Sequence, residues 1–81
     1  MKFEVLVEVR LRPGVADPAG ATIERTLPAL GFSEVEGVSV GKAIRFTMEA
    51  ADEASARTRV DELCRRFLTN PVIEDFEVTL S

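Results

Sequence analysis

Three stretches of this chain carry residue types that could do chemistry: the run Gly37-Val38-Ser39-Val40-Gly41-Lys42, the adjacent carboxylates Glu74 and Asp75, and the single thiol of Cys64. The first would be a phosphate cradle, in which backbone N–H groups and a lysine surround an anion. Its glycine spacing does not fit, and Ala43 stands where the magnesium-binding hydroxyl belongs, so the run reads as a hairpin turn. The second would be an acid/base pair. Neighbours in an extended strand project to opposite faces, so Glu74 and Asp75 cannot work on one atom together; one belongs at a sheet edge and the other in solvent. Cys64 sits at helical spacing among apolar residues and reads as a small buried hydrophobe. The chain has no His, Trp or Tyr and a single Cys, so function is expected to come from surfaces or partners more than from a catalytic side chain.

Charge and size narrow the classes further. With 81 residues the chain is one domain, and a domain this small buries roughly 60 to 65% of its unfolded surface. One cysteine offers neither a disulfide framework nor a metal cluster, which favours oligomerisation as a second source of buried apolar area. A net charge of −4 disfavours nucleic-acid backbone binding, because that affinity rests on neutralising phosphates. The sequence holds no long apolar run and opens directly on an alternating strand pattern, so a cytoplasmic location and no membrane partner are expected. Arg greatly outnumbers Lys, Asn occurs once and Gln never, which suggests a thermophilic or GC-biased source.

The elements that must position these residues are set by periodicity. Lys2 to Arg12 alternates, with Phe3, Val5, Val7, Val9 and Leu11 facing one way; this predicts a half-buried strand, with Leu6 alone interrupting the polar face. Pro13-Gly14 is a turn, and Asp17-Pro18 starts a helix to about Leu30, the carboxylate accepting from first-turn N–H groups and proline losing nothing there. Pro28 removes a hydrogen bond inside that helix and predicts a kink or tightened last turn, with Gly31 ending it in left-handed geometry. Glu34 to Val40 and Ala43 to Ala50 read as a hairpin around Gly41-Lys42, with a bulge at Gly37. A second helix runs from about Asp52 to Thr69, capped by Asp52, stopped by Asn70 in the left-handed position and by Pro71. The last strand spans Val72 to Leu80.

The order β-α-β-β-α-β is that of a ferredoxin-like split βαβ fold of α+β class, a four-stranded antiparallel sheet with two helices on one face. Its expected core is Val5, Val7, Val9, Ile23, Leu27, Leu30, Val38, Val40, Ile44, Phe46, Val60, Leu63, Cys64, Phe67, Phe76 and Val78. The opposite sheet face, with Leu6, Glu8, Arg10, Arg45, Thr47, Ile73 and Glu77, is left bare and could serve as a dimer surface. Among functions this fold hosts, metal chaperones and ferredoxins need clustered cysteines, and RNA-recognition domains need exposed aromatics on a basic sheet. Two readings remain: a protein-interaction subunit, and a small-molecule-binding regulatory dimer.

Three pieces carry a family resemblance. They are Val7-x-Val9-x-Leu11-x-Pro13-Gly14-Val15-x-Asp17-Pro18-x-Gly20, the run Val38-x-Val40-Gly41-Lys42, and Cys64-x-x-x-Leu68-x-Asn70-Pro71-Val72-Ile73-Glu74-Asp75-Phe76. In this order and without large insertions, the chain resembles the PurS-type small subunit of phosphoribosylformylglycinamidine synthase. The resemblance implies a subunit without catalytic residues or bound cofactor. It would work with a large synthetase subunit, which uses ATP and Mg, and with a glutaminase subunit, as a homodimer or a tetramer. The assembly would convert formylglycinamide ribonucleotide to formylglycinamidine ribonucleotide with ammonia drawn from glutamine. Partner contacts are then expected at Asp17, Pro18, Gly20, Lys42, Asn70, Pro71, Ile73, Glu74 and Asp75; the alternative is that most of these are only caps and turns.

Overall fold

The computed structural model describes residues 1–81. Strand β1 (Lys2–Leu11) is its centre, and it buries every second residue: Phe3, Val5, Val7 and Val9 point into the core. It pairs antiparallel with β2 (Lys42–Glu49) on one side and with β3 (Glu74–Leu80) on the other. Val7 lies opposite Ile44 and Val78 at once, which puts it at the middle of the sheet, fully buried. Helix α2 (Glu53–Leu63) and the turn that follows it cross that face and seat Val60 and Cys64 on Val5, Val7 and Val9, with Phe46, Phe76 and Val78 half-buried around them. Asp52 caps the helix as its sequence predicts, accepting the Ser55 N–H at 2.7 Å.

The sheet has three strands in the order β2-β1-β3, where the sequence pattern suggested four. The expected hairpin is absent. Residues 34–40 stay outside the sheet, Gly37 takes a left-handed φ of 71° in place of a strand bulge, and the N–H groups of Val38 and Val40 are bound by carboxylates of Glu24 and Asp17. A strand pattern needs a partner edge, and here side-chain acceptors satisfy those donors instead.

Helix α1 (Pro18–Thr26) tightens at Pro28 into a 3-10 turn over Leu27–Leu30, and Gly31 closes it at φ 91°, as proline and glycine there dictate. None of its apolar side chains joins the core. Ile23, Leu30 and Val40, expected inside, are exposed, because α1 and residues 34–41 form an arm that projects beyond the sheet. The chain accordingly measures 52 × 25 × 14 Å, with a radius of gyration of 16.3 Å, where a compact chain of this length has about 12 Å.

The end of α2 also departs from the pattern. Cys64–Leu68 is one π-helical turn, and the Thr69 N–H donates to the Cys64 carbonyl five residues back, at 3.0 Å. The extra residue in that turn shifts the helical phase, so Leu68 packs against the core while Phe67, expected inside, is 79% exposed. Thr69 ends the turn in extended backbone, and Asn70 does not adopt the left-handed cap because no residue other than glycine has positive φ. The last strand starts at Glu74, two residues later than expected, because residues 71–73 are a turn.

Candidate functional site

The nine predicted contact residues gather at one end of the sheet, where β1 finishes, β2 begins and β3 begins. Two compact devices are built there, one around Asp17 and one around Asn70. Arg12, at the exit of β1, is tied to the second of them.

Asp17 caps α1. Its Oδ1 accepts from the Gly20 N–H at 2.9 Å, and its Oδ2 accepts from the Val40 N–H at 2.9 Å. These two backbone donors, in that order of importance, hold its carboxyl below the usual carboxylate value. Two turns further along the same helix face, Glu24 Oε1 accepts from the Val38 N–H at 2.8 Å. Gly20 lies under this clasp, buried, and a Cβ there would sit 2.6 Å from both Asp17 Oδ2 and the Val38 carbonyl oxygen. Pro18 comes directly after the cap, at the first helical position. Lys42 pairs with Val9 and keeps its side chain exposed.

The second device closes on itself. Glu74 Oε1 accepts from the Asn70 N–H at 2.7 Å, the Asn70 carbonyl accepts from the N–H groups of Ile73 and Glu74, and Asn70 Oδ1 accepts from the Val72 N–H at 3.1 Å. Pro71 needs no donor partner within this turn. The Arg12 N–H donates to the Ile73 carbonyl at 2.8 Å, and its guanidinium lies 3.3 Å from Asp75. A second ion pair, Arg10 to Glu77 at 3.0 Å, continues along the bare sheet face. Glu74 points to the side of the sheet that carries α2 and Asp75 to the other, so the two carboxylates are separated by the pleat.

This chemistry is that of clasps and ion pairs. No buried side-chain nitrogen or oxygen lacks a partner, and no cluster of His, Cys, Asp or Glu could hold a metal ion. The Cys64 thiol is buried, and desolvation first, then the Asp61 charge, raises its pKa, which makes it a poor nucleophile. Surface for partners is abundant: Leu30, Phe32, Phe67 and Val72 are all at least half exposed. Arg12 and Glu24 were missed by motif reading; the seven-residue spacing of Asp17 and Glu24, which puts both on one helix face, was the available signal.

Residues 4–81 match the family PurS, described as phosphoribosylformylglycinamidine (FGAM) synthase. The chain belongs to the PurS family. Among its relatives, the phosphoribosylformylglycinamidine synthase subunit PurS of Methanothermobacter thermautotrophicus is 42% identical over 81 residues, covering 100% of this chain and 95% of that one. The PurS subunit of Synechocystis sp. is 45% identical over 79 residues, 95% of this chain and 79% of the relative. Among solved structures, a chain in the structure of PurLQS from Thermotoga maritima is 34% identical and superposes with a TM-score of 0.91, covering 100% of this chain and 99% of that one. An arm placed elsewhere in that PurS relative would put so high a score out of reach. The projecting arm is therefore part of the shared architecture.

Proposed function

We propose that this chain is the small, non-catalytic subunit of phosphoribosylformylglycinamidine synthase in purine biosynthesis. The observation that carries the reading is the family match over residues 4–81, which includes the arm and both clasps. A PurS relative found in a PurLQS structure supports membership in such a complex. The chain assembles no catalytic cluster of its own, which suits a subunit that positions others.

In this reading it acts as a homodimer, or a tetramer of paired dimers. It bridges a glutaminase and an ATP- and Mg-using synthetase in the cytoplasm, so that ammonia reaches the amidation site without escaping. Pro18, Lys42, Pro71, Ile73 and Asp75 present partner contacts at the end of the sheet, while Asp17, Gly20, Asn70 and Glu74 hold the turns that fix their angles. Turns already rigid lose little ordering entropy on docking.

The test mixes the purified chain with the synthetase and glutaminase subunits and compares glutamine-dependent with ammonia-dependent synthesis. A bridge is required chiefly for the glutamine-dependent reaction. An effect seen only on adding an amino acid or nucleotide would mark a regulatory dimer instead. Asp75→Ala and Lys42→Ala should keep the fold and weaken assembly; intact assembly in both would remove these residues from the interface.

A further inference from the structure

Strand β3 forms one edge of the sheet, and half of its backbone is unpaired. The Glu4 and Ser81 N–H groups each donate to the other residue's carbonyl, at 2.9 and 3.0 Å, and in an antiparallel ladder such pairs recur at every second residue. Asp75, Glu77 and Thr79 therefore turn their backbone groups toward β1, while the N–H and C=O groups of Phe76, Val78 and Leu80 face away from the sheet. One of these outward groups is covered: Arg57, on α2, donates to the Val78 carbonyl at 3.5 Å.

Exposed edges are commonly blunted by lysine, proline or a bulge. Strand β3 contains no lysine, proline or glycine, and its register with β1 runs unbroken. Its acids are engaged elsewhere: Asp75 with Arg12, Glu77 with Arg10, and Glu74 with the Asn70 N–H. Between the open edge and α2 runs a groove of about 380 Å³, lined by Arg57, Thr58, Asp61 and Val78. A free edge beside a helix-walled groove can bind an extended peptide as an added strand, the backbone giving affinity and the groove reading alternate side chains.

We propose that the open edge of β3 receives an extended segment of a partner subunit as a fourth strand. The existence of that partner rests on the subunit reading above; the edge that receives it is new. The groove offers a cation, an anion and a hydroxyl, and both charges are already paired along the helix, Arg57 with Glu53 and Asp61 with Arg65. It therefore suits an uncharged polar side chain, such as an amide or a hydroxyl. The segment does not come from this chain, because Met1 is bonded to Ala50 and Ser81 to Glu4. A second copy fits poorly, since two β3 edges joined about a two-fold axis at Val78 would set one Arg57 against the other. A foreign strand displaces a single guanidinium, which keeps its Glu53 partner at 3.3 Å.

Amide exchange, read residue by residue on the isotope-labelled chain, tests this in the free protein and in the complex assembled with the synthetase and glutaminase subunits. In the free chain the Phe76, Val78 and Leu80 amides should exchange faster than those of Glu77 and Thr79, and in the complex they should slow roughly ten-fold or more. Thr58→Trp fills the groove from an exposed helix position. Its circular dichroism and urea midpoint should stay as in wild type, while assembly weakens roughly ten-fold or more. The proposal is overturned if the complex forms with those three amides as open as before, or if Thr58→Trp assembles with wild-type affinity. Protection that rises with chain concentration in the absence of partners would mark a second copy and also overturn it. A failure to form any complex overturns the subunit reading and the proposal together, whereas a complex without this protection overturns the proposal alone.

Discussion

Asp17 Oδ2 accepts the Val40 N–H at 2.9 Å across 23 residues of sequence, so the carboxylate that starts α1 also fastens the far root of the arm. A side chain with two tasks is more exposed to mutation than an ordinary cap. It is also exposed to pH.

The acid limb of stability should depend on Asp17 and Asp52. Both carboxyls are held below their ordinary 3.8, Asp17 by the Gly20 and Val40 N–H groups and Asp52 by the Ser55 N–H and hydroxyl. A depressed value means that the contribution is complete above the unfolded pKa and is lost as pH falls through the lower folded one. Urea midpoints should thus hold near neutrality and drop as the pH passes below 3.8. In Asp17→Ala the drop should be shallower, and the Val40 amide should exchange faster with solvent already at about pH 7. Equal exchange at Val40 in the two proteins would show that Asp17 does not hold the arm.

Gly20→Ala should detach the arm while leaving the sheet intact. The added methyl would meet Asp17 Oδ2 and the Val38 carbonyl at 2.6 Å, and the latter is backbone that cannot swing aside. Alanine ordinarily stabilises a helix interior by about 0.5–1 kcal/mol over glycine. Here the sign should reverse. Amide exchange should accelerate across residues 36–41 and stay unchanged in β1; a more stable protein with a protected Val38 amide would contradict the close fit.

The sheet and α2 were legible because alternation over Lys2–Leu11 and helical spacing through Val60 and Cys64 are local signals that agree with the burial they produce. Residues 34–40 were not, since Val38 and Val40 alternate like a strand and only tertiary contacts from Asp17 and Glu24 decide their partner. Phe67 failed for a different reason: one inserted residue in the π turn shifts the helical phase, and nothing in its sequence marks that insertion. At the candidate site, the cap at Asp17 was readable from residue type, as was the cap at Asp52 that starts α2 elsewhere, whereas the Arg12 bond to the Ile73 carbonyl joins elements far apart in the chain.

Core truncations should separate the sheet from the arm energetically. Val60 is fully buried against the Val5, Val7 and Val9 cluster, so Val60→Ala should cost about 2–3 kcal/mol in urea unfolding. Ile23→Ala removes a larger side chain from a site left 45% exposed and should cost under about 1 kcal/mol in the monomer. A larger loss at Ile23 than at Val60 would place Ile23 inside the core.

Asn70→Gly discriminates the observed turn from the left-handed cap that its sequence suggested. In a left-handed cap glycine is as good as asparagine or better, and the substitution would be neutral or stabilising. The observed Asn70 has no positive φ, and its Oδ1 accepts the Val72 N–H at 3.1 Å while its own N–H is bound by Glu74 at 2.7 Å. Glycine here deletes an acceptor and adds freedom to the unfolded chain, so stability should fall by about 1 kcal/mol. Glu74→Ala should give a loss of similar size by freeing the Asn70 N–H. Because both changes open one ring, the double variant should lose less than the two single losses added together. Full additivity in denaturant unfolding would show that Asn70 and Glu74 act independently and that the turn is not the closed unit described.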